Sequence, residues 1–307
     1  IRLNLIPSGA IFHVIVELQF EKCVNELKHI IESIDKDVFN YDTYLFEWCR
    51  KIGFPYPSYT HDRMTSDFDS LKHSDVSSYN FRSLLGMSAI RNFHKSIYDA
   101  HVRNKMSPRD AWEDDNVLKK IIANRLIYAN NVDPSKVLAG FSITKLAPKV
   151  SVFNPILAKY IINKYLSNYS TIFDPFSGFS GRMLGCESLE KHYIGSDINQ
   201  IHVDESNQII TELGLTHSAV SQKDIFSYDK SSYECLFTCP PYYNKETYGN
   251  ELEFKSCDQW IDFILNKFTC ERYVFVIDST NKYKSNIAES IHNTSHFNRY
   301  DEYVIVI

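Results

Sequence analysis

The chain has 307 residues, of which 44% are hydrophobic and 23% are charged, and its formal net charge is −5. This composition excludes a disordered or fibrous protein and is sufficient for one large or two ordinary globular domains. No stretch approaches the roughly 18 consecutive apolar residues of a membrane span, and residues 10–16 lack the flanks of a signal peptide. We therefore expect a soluble, intracellular protein of the cytoplasm with no membrane partner.

The seven cysteines form no CxxC pair and are odd in number. This pattern is not typical of a zinc knuckle or of a disulfide framework. We expect reduced thiols and no metal site. The first residue is Ile1 rather than Met, which suggests that further residues precede it.

The first half of the chain has the periodicity of helices. Apolar side chains recur near every 3.6 residues over 11–33 and again over 80–102. The Ser-Pro pair at 107–108 predicts a helix that runs to about Ala129. Polar and turn residues dominate 56–78, which predicts a long surface loop.

The segment 82–149 is locally basic, with 12 Lys and Arg against 6 Asp and Glu. A solvated helical face explains this pattern, and so does a surface that follows the phosphates of a nucleic acid. The sequence leaves both interpretations open.

The pattern of the sequence changes after residue 168. Short β-rich runs alternate with helical patterns, and these runs lie at 170–173, 192–196, 218–221, 233–237, 272–277 and 302–307. Such alternation predicts βαβ units and a mainly parallel sheet. We therefore expect an α/β domain over 150–307, preceded by a mostly helical domain over 1–149.

The first of these runs ends in a glycine-rich turn, Asp-Pro-Phe-Ser-Gly-Phe-Ser-Gly-Arg at 174–182, and a helical pattern follows. Glycines allow the backbone to approach a ligand closely and to turn into a helix whose N-terminus faces that ligand. A glycine-rich turn alone is a weak signal, so its neighbours decide the interpretation.

Acidic residues end the next two runs. Asp197 lies 23 residues after Asp174, near the spacing at which a carboxylate accepts hydrogen bonds from ribose hydroxyls. Asp224 follows the third run, where a carboxylate can face an adenine amino group beside the apolar Ile225. Each carboxylate alone is as compatible with a helix cap or a surface charge as with a ligand contact. Three at successive strand ends favour a ligand site, because ligands of open α/β sheets bind there.

The fourth run leads into Thr-Cys-Pro-Pro-Tyr at 238–242. Consecutive prolines give a rigid loop whose backbone carbonyls can accept hydrogen bonds, and the adjacent Tyr242 can stack on a planar substrate. Such a loop suits an exocyclic amino group that is held towards a methyl donor. A plain turn is the alternative interpretation.

These residues resemble the catalytic region of the amino-methyltransferases, which methylate adenine N6 or cytosine N4 in DNA. The matching positions are Asn154-Pro155, Asp174-Pro175-Phe176-Ser177-Gly178, Asp197, Asp224 and Pro240-Pro241-Tyr242. The resemblance covers the second half of the chain and leaves residues 1–140 unexplained.

The resemblance implies a Rossmann-like class I methyltransferase fold over 150–307, with S-adenosyl-L-methionine as the cofactor. The residues that it implies for cofactor binding are Asn154, Pro155, Asp174, Phe176, Ser177, Gly178, Ser180, Asp197, Asp224 and Ile225. Those that it implies for presenting the target amino group are Cys239, Pro240, Pro241 and Tyr242. The implied partner is DNA, as in restriction–modification systems, or else RNA, contacted partly through 82–149.

Two positions depart from the family pattern. Ser180 stands at the family's second glycine, with Gly181 one place later, and Cys239 stands where the family has Asp, Asn or Ser. A thiol is a poor acceptor for an amino proton, and the variant most similar in shape, Thr-Ser-Pro-Pro-Tyr, is associated with cytosine N4. Methylation of RNA or of a protein glutamine is an alternative function. A catalytically silent protein that binds nucleic acid is another.

Overall fold

The computed structural model describes residues 41–78, 83–102, 104–129, 132–241, 246–247, 254–277, 282–295 and 298–307. The expected helix over 11–33 and the residue Tyr242 lie outside these ranges. The α-helices, in chain order, are α1 (Tyr41–Ile52), α2 (His61–His73), α3 (Met87–Phe93), α4 (Pro108–Glu113), α5 (Asp115–Tyr128), α6 (Pro134–Ile143), α7 (Pro155–Tyr165), α8 (Gly181–Glu187), α9 (Gln200–Leu213) and α10 (Cys257–Lys267). The strands are β1 (His101–Val102), β2 (Thr171–Asp174), β3 (His192–Asp197), β4 (Ser218–Gln222), β5 (Ser231–Thr238), β6 (Glu246–Thr247), β7 (Phe268–Ile277), β8 (Ile287–Ser295) and β9 (Asn298–Val306). Short 3-10 helices lie at Lys95–Tyr98, Ile225–Ser227 and Lys284–Asn286.

The chain forms two compact units, and both are discontinuous in sequence. The first comprises 1–58 and 108–148, and the second comprises 59–107 and 149–307. One junction lies within a residue of the division predicted after 149, but 59–107 packs with the sheet rather than with the first helices. The basic segment 82–149 is consequently divided between the two units.

The first unit consists of helices where the structure describes it. Helix α4 begins at Pro108 as predicted, but it ends at Glu113 instead of continuing to Ala129. The cause is Asp114, whose carboxylate accepts hydrogen bonds from the backbone N–H groups of residues 116 and 117, over 2.8 and 3.0 Å. A side chain that caps two N–H groups in this way begins a new helix, α5.

The expected surface loop over 56–78 contains helix α2, so that expectation was wrong. Thr60 caps the helix by accepting a hydrogen bond from the N–H of Arg63. Its buried side chains are Met64, Phe68 and Leu71. These three lie on one helical face, and a single apolar stripe among many polar residues was too weak a sequence signal.

The packing of 59–107 onto the sheet depends on a buried amine in α7. The Lys159 ammonium donates to the carbonyl oxygens of Leu71 at 2.7 Å, Lys72 at 2.8 Å and Ser74 at 2.9 Å. It thereby adds a charged donor to backbone carbonyls at the C-terminal end of α2, of which that of Leu71 also accepts from the N–H and the hydroxyl of Ser74. Such a contact links residues more than 80 positions apart and leaves no local sequence pattern.

The expected helix over 80–102 is also shorter in the structure. Only α3, the 3-10 helix at 95–98 and the two-residue strand β1 are described there. Strand β1 pairs antiparallel with β6. Gly86, in the left-handed region at φ +83°, precedes α3, and a side chain there would overlap Leu71 at 2.9 Å.

The second unit is built on a seven-stranded sheet with the order β4-β3-β2-β5-β7-β9-β8. Strands β4, β3, β2, β5 and β7 are mutually parallel, whereas β9 runs antiparallel to both β7 and β8. The strand order reverses at β2, as in doubly wound Rossmann-like folds. The α/β class and the mainly parallel sheet are confirmed. Strand β8 was not predicted, because its sequence is largely polar.

Apolar residues of the central strands form the core of this sheet. Fully buried side chains in β2, β5 and β7 include Phe173, Leu236 and Phe275, which pack with Trp260 and Ile261 of α10. Parallel strands end at the same edge of a sheet, so the residues that follow β2, β3, β4 and β5 meet there. None of the described helices has the length and apolar character needed to cross a membrane.

Candidate active site

The residues selected from the sequence come together at the carboxyl edge of the parallel strands. Asp174 ends β2, Asp197 ends β3, Asp224 follows β4, and Cys239 follows β5. Neighbouring strands in the sheet therefore carry neighbouring site residues. The edge lies beside β2, where the strand order reverses, and this is where open α/β sheets bind ligands.

Asp174 is fully buried and its hydrogen bonds remain within the protein. Its Oδ2 accepts from Arg182 Nε at 2.6 Å and from the Tyr193 hydroxyl at 2.7 Å. Its Oδ1 accepts from the Thr238 hydroxyl at 2.6 Å and from the N–H of Phe176 at 3.2 Å. The carboxylate thus organises the turn instead of facing outward, which differs from the direct ligand contact that the family resemblance implies.

The charge state of this buried cluster is well defined. Burial disfavours the charged guanidinium of Arg182, but the Asp174 carboxylate, together with Cys239 and Tyr193, outweighs burial and raises the pKa of Arg182 above its usual range. Burial, followed by the same carboxylate, raises the pKa of the Tyr193 hydroxyl, so this group remains a proton donor. Arg182 also donates to the carbonyl oxygen of Phe176 and lies over the Phe153 ring, 5.1 Å from its centroid. The buried ion pair between Asp174 and Arg182 therefore fixes the conformation of the turn.

The glycine turn follows β2 and is hydrogen-bonded to the end of β3. Gly178 has φ +55°, and its N–H donates to Asp197 Oδ2 at 2.9 Å. Gly181 could not carry a side chain, because a Cβ would lie 1.9 Å from the carbonyl oxygen of Phe153. Ser177 is buried, and its hydroxyl has no hydrogen-bond partner among the described residues. A buried hydroxyl of this kind is costly unless a ligand or water satisfies it.

Asp197 is a negatively charged group at the edge of the sheet, and its side chain is 13% exposed. Burial raises its pKa, but hydrogen bonds and the charge of His202, together with the N–H groups of Asn199 and Gly178, outweigh burial and lower it. His202 Nδ1 lies 3.7 Å from Oδ1, which also accepts from the N–H of Asn199 at 2.9 Å. The carboxylate is thus ionised at neutral pH and can accept further hydrogen bonds at its open side.

Two apolar side chains beside these carboxylates are unusually exposed. Ile198 follows Asp197 and is 57% exposed, and Phe226 follows Ile225 and is 38% exposed. Ile225 itself is buried in the core, so the structure places Phe226 rather than Ile225 at the surface of the site. Ile198 was not predicted from the sequence, although its position directly after the strand-ending acid was a usable signal.

Asp224 lies beside Phe226 and caps the short 3-10 helix that follows β4. Its Oδ1 accepts from the N–H of Phe226 at 3.0 Å. The Phe226 ring packs on Phe263, with centroids 5.0 Å apart, and on Trp260, with centroids 5.9 Å apart. Trp260 also contacts Phe176 of the turn, over 5.1 Å. The rings of the turn and of the β4 end therefore share one aromatic cluster.

Asn154 caps α7, which begins at Pro155. Asn154 Oδ1 accepts from the N–H of Ile156 at 3.2 Å, and Nδ2 donates to the Ser83 carbonyl oxygen at 2.6 Å. Pro155 is buried and packs close to Gly86, where an added Cβ would lie 3.0 Å from the Pro155 Cβ. Both residues fix the start of α7, so their effect on the site is indirect.

Ser180 is turned away from the edge of the sheet. It has φ +62°, which explains why a glycine suits this position, and only 1% of its surface is exposed. Its hydroxyl contacts His94 Nε2 at 2.7 Å and the Ser206 hydroxyl at 2.8 Å. The direct cofactor contact implied by the resemblance therefore does not apply to this side chain. No sequence pattern pointed to His94, which lies 86 positions before Ser180.

The loop after β5 places Cys239 and Pro241 at intermediate exposure and buries Pro240. Cys239 and the buried Arg182 interact electrostatically. The Thr238 hydroxyl, directly before the loop, donates to Asp174 at 2.6 Å, so the loop begins beside the end of β2, whereas Tyr242 lies outside the described residues. No group of three or more His, Cys, Asp or Glu side chains in the described part of the chain is arranged to hold a metal ion.

No family model and no curated protein matches this chain. Among solved structures, TrmN from Thermus thermophilus is 12% identical, with a TM-score of 0.36 over 50% of this chain and 48% of its own, so the chain spans less than half of TrmN. An RNA methyltransferase from Salinibacter ruber, solved with S-adenosyl-L-homocysteine, is 13% identical, with a TM-score of 0.37 over 52% of this chain and 94% of its own. The tRNA (uracil-54, C5)-methyltransferase of Pyrococcus abyssi is 11% identical, with a TM-score of 0.38 over 53% and 41%. These TM-scores lie below 0.5, so the activities of these enzymes are not transferred to this chain.

Proposed function

We propose that this chain is an S-adenosyl-L-methionine-dependent methyltransferase that acts on an exocyclic amino group of a nucleic-acid base. The observation that carries the proposal is the position of Asp197 and the Ser177–Gly178 turn beside the Cys239–Pro241 loop, on adjoining strands of one sheet edge. A cofactor site and a loop suited to an amine thus adjoin each other.

The residues of the edge fit the adenosine part of this cofactor. The ionised Asp197 carboxylate can accept hydrogen bonds from both ribose hydroxyls, and the buried Ser177 hydroxyl provides a polar group that lacks a partner among the described residues. Ile198 and Phe226 present apolar surfaces for the two faces of an adenine ring, with Asp224 beside them for its amino group. Asn154, Pro155 and Asp174 act indirectly, because they fix the helix and the turn.

Catalysis in this proposal is mainly positioning. S-adenosyl-L-methionine, held by Asp197 and the Ser177–Gly178 turn, would supply an electrophilic methyl group to the target nitrogen and would leave as S-adenosyl-L-homocysteine. Backbone carbonyls of Cys239 and Pro240 accept the amino hydrogens and so orient the nitrogen, which then loses a proton to solvent. Tyr242 stacks on the base in this scheme.

The family resemblance favours DNA, and the Cys-Pro-Pro-Tyr loop favours cytosine N4 within it. A base in duplex DNA would have to be flipped out, which costs a few kcal/mol of unstacking that contact with an aromatic ring can offset. RNA is the second candidate substrate, since the same loop chemistry serves any conjugated amino group. DNA and RNA should therefore both be tested as methyl acceptors.

Calorimetric titration with S-adenosyl-L-methionine and S-adenosyl-L-homocysteine tests the cofactor assignment. Replacing Asp197 with Ala removes a charged acceptor worth roughly 1.5–3 kcal/mol, so the dissociation constant should rise by about 10- to 100-fold. Asp204→Ala is the matched control, because Asp204 is an exposed carboxylate on α9. Equal affinity of Asp197→Ala and wild type would contradict the ribose assignment. Absence of binding of either ligand to wild type would contradict the proposed function and favour a silent protein.

A further inference from the structure

A buried polar network holds the cofactor turn from the side opposite the sheet edge. His94, which follows α3, contacts the Ser180 hydroxyl through Nε2 at 2.7 Å and Glu205 Oε2 through Nδ1 at 3.0 Å. Glu205 also accepts from the N–H of Ser96 at 3.0 Å and from its hydroxyl. All four side chains are buried. The network thus joins 59–107, the turn and α9 inside one compact unit.

The protonation states follow from the partners. Burial raises the pKa of Glu205, but hydrogen bonds from His94 and Ser96 outweigh burial and lower it, so the carboxylate is ionised. Burial lowers the pKa of His94. The imidazole is therefore neutral at neutral pH, with its proton on Nδ1 towards Glu205 and with Nε2 accepting from Ser180.

The order of hydroxyl, imidazole and carboxylate is that of a nucleophilic triad. Only 1% of Ser180 is exposed, however, and its hydroxyl also contacts Ser206 at 2.8 Å. No substrate can reach an oxygen enclosed in this way. The network instead holds Ser180, and with it the backbone of the turn, in place.

Three successive residues of the turn are held by groups outside it. The N–H of Gly178 is bound by Asp197. The Phe179 ring lies between two imidazoles, 5.5 Å from the His94 centroid and 4.7 Å from that of His202. Ser180 is held in the left-handed conformation, which is unfavourable for a residue with a side chain.

We propose that His94 is a positioning residue that holds Ser180 left-handed and thereby sets the shape of the cofactor turn, so that the segment 59–107 controls cofactor affinity. This inference rests on the proposed function. The hydrogen bond from Ser180 to His94 offsets the conformational cost, and loss of that bond lets the turn relax away from the shape that places Gly178 against Asp197.

Two substitutions at Ser180 test this directly. Ser180→Ala and Ser180→Gly both remove the hydroxyl, but only glycine adopts the left-handed region without cost. We expect Ser180→Ala to bind S-adenosyl-L-homocysteine roughly fivefold more weakly than Ser180→Gly. Equal affinity of the two variants would overturn the proposal.

His94→Phe keeps the ring beside Phe179 and removes both nitrogens. We expect it to bind S-adenosyl-L-homocysteine roughly tenfold more weakly than wild type, and we expect the double variant His94→Phe/Ser180→Gly to recover most of that loss. A general structural role for His94 would give no such recovery, and that result would overturn the proposal. His73→Phe, an exposed position on α2, is the control for the substitution itself.

Amide hydrogen exchange in protein without cofactor separates this inference from the proposed function. Exchange at residues 177–182 should be faster in His94→Phe than in wild type and should slow again in the double variant. If wild type binds no cofactor, the proposed function fails, but the exchange comparison still decides the role of His94. Unchanged exchange in a folded His94→Phe protein would overturn the positioning role.

Discussion

The Thr238 hydroxyl donates a hydrogen bond to Asp174 Oδ1 over 2.6 Å, and both side chains are fully buried. This bond joins the end of β5 to the end of β2. The same carboxylate accepts from Arg182 and from the N–H of Phe176, so one buried acid connects the cofactor turn with the loop that begins at Cys239. In the proposed function, the distance between the cofactor and the target amine would therefore depend on residues that touch neither.

Replacing Thr238 with Val removes this hydroxyl at constant shape. Asp174 keeps its bonds to Arg182 and Tyr193, so we expect a loss of about 1–3 kcal/mol in the free energy of unfolding. The turnover number should fall more than cofactor affinity, because the catalytic loop follows Thr238 directly. Denaturant unfolding, calorimetry and steady-state kinetics measure the three quantities. Thr238→Ser is the control that keeps the hydroxyl, and identical behaviour of the Val and Ser variants would contradict the coupling.

Substitutions of Cys239 distinguish amino methylation from a covalent mechanism. In amino methylation Cys239 only shapes the loop and contributes its carbonyl, so Cys239→Ser should keep or raise activity and Cys239→Ala should leave measurable turnover. In a covalent mechanism the thiolate attacks carbon 6 of a pyrimidine, and Ser would abolish turnover. Nucleic acid that contains 5-fluorocytosine distinguishes them by mass spectrometry. A stable adduct with wild type, together with an inactive Ser variant, would exclude the amino-methylation mechanism.

The buried His94 predicts a specific pH dependence of stability. Burial holds its pKa below the ordinary value of 6.5, so as pH falls below 6.5 the unfolded chain binds a proton that the folded protein does not. The free energy of unfolding should therefore decrease from pH 6.5 towards 5, before Glu205, whose lowered pKa lies below 4.5, begins to titrate. Urea unfolding across this range should show a shallower slope for His94→Phe than for His73→Phe. Equal slopes would contradict a neutral buried imidazole.

The basic segment 82–149 predicts salt-dependent binding to nucleic acid. If its cations contact phosphates, affinity should fall with rising salt, and Ala at Arg103, Lys105, Lys119 or Lys120 should reduce the slope by about one for each contact removed. Fluorescence anisotropy at several salt concentrations measures this slope. Lys230→Ala, an exposed position outside the segment, is the control. Binding that does not depend on salt would favour a solvated helical face.

Local features of the sequence predicted the mainly parallel sheet and the strand-ending acids at the edge where we propose the site. Strand-ending acids such as Asp197 and the helix starts at Pro108 and Pro155 follow from periodicity and capping, which involve residues a few positions apart. The inward orientation of Asp174 and the burial of Ile225 depend on tertiary packing. The network of His94, Ser180 and Glu205 joins residues separated by 86 and 111 positions. The sequence feature related to this network is Ser180, which stands at a position where the family has glycine.

The most direct test of the central claim is the transfer of a labelled methyl group. Purified protein is incubated with S-adenosyl-L-methionine that carries an isotopic methyl label and with either DNA or RNA, and the digested nucleosides are analysed by mass spectrometry. We expect label on an exocyclic amino group, as N4-methylcytosine or N6-methyladenine, with wild type and Asp204→Ala, and a marked reduction with Asp197→Ala. Label on carbon 5 of a pyrimidine, or no label in either nucleic acid from protein that binds the cofactor, would contradict the account.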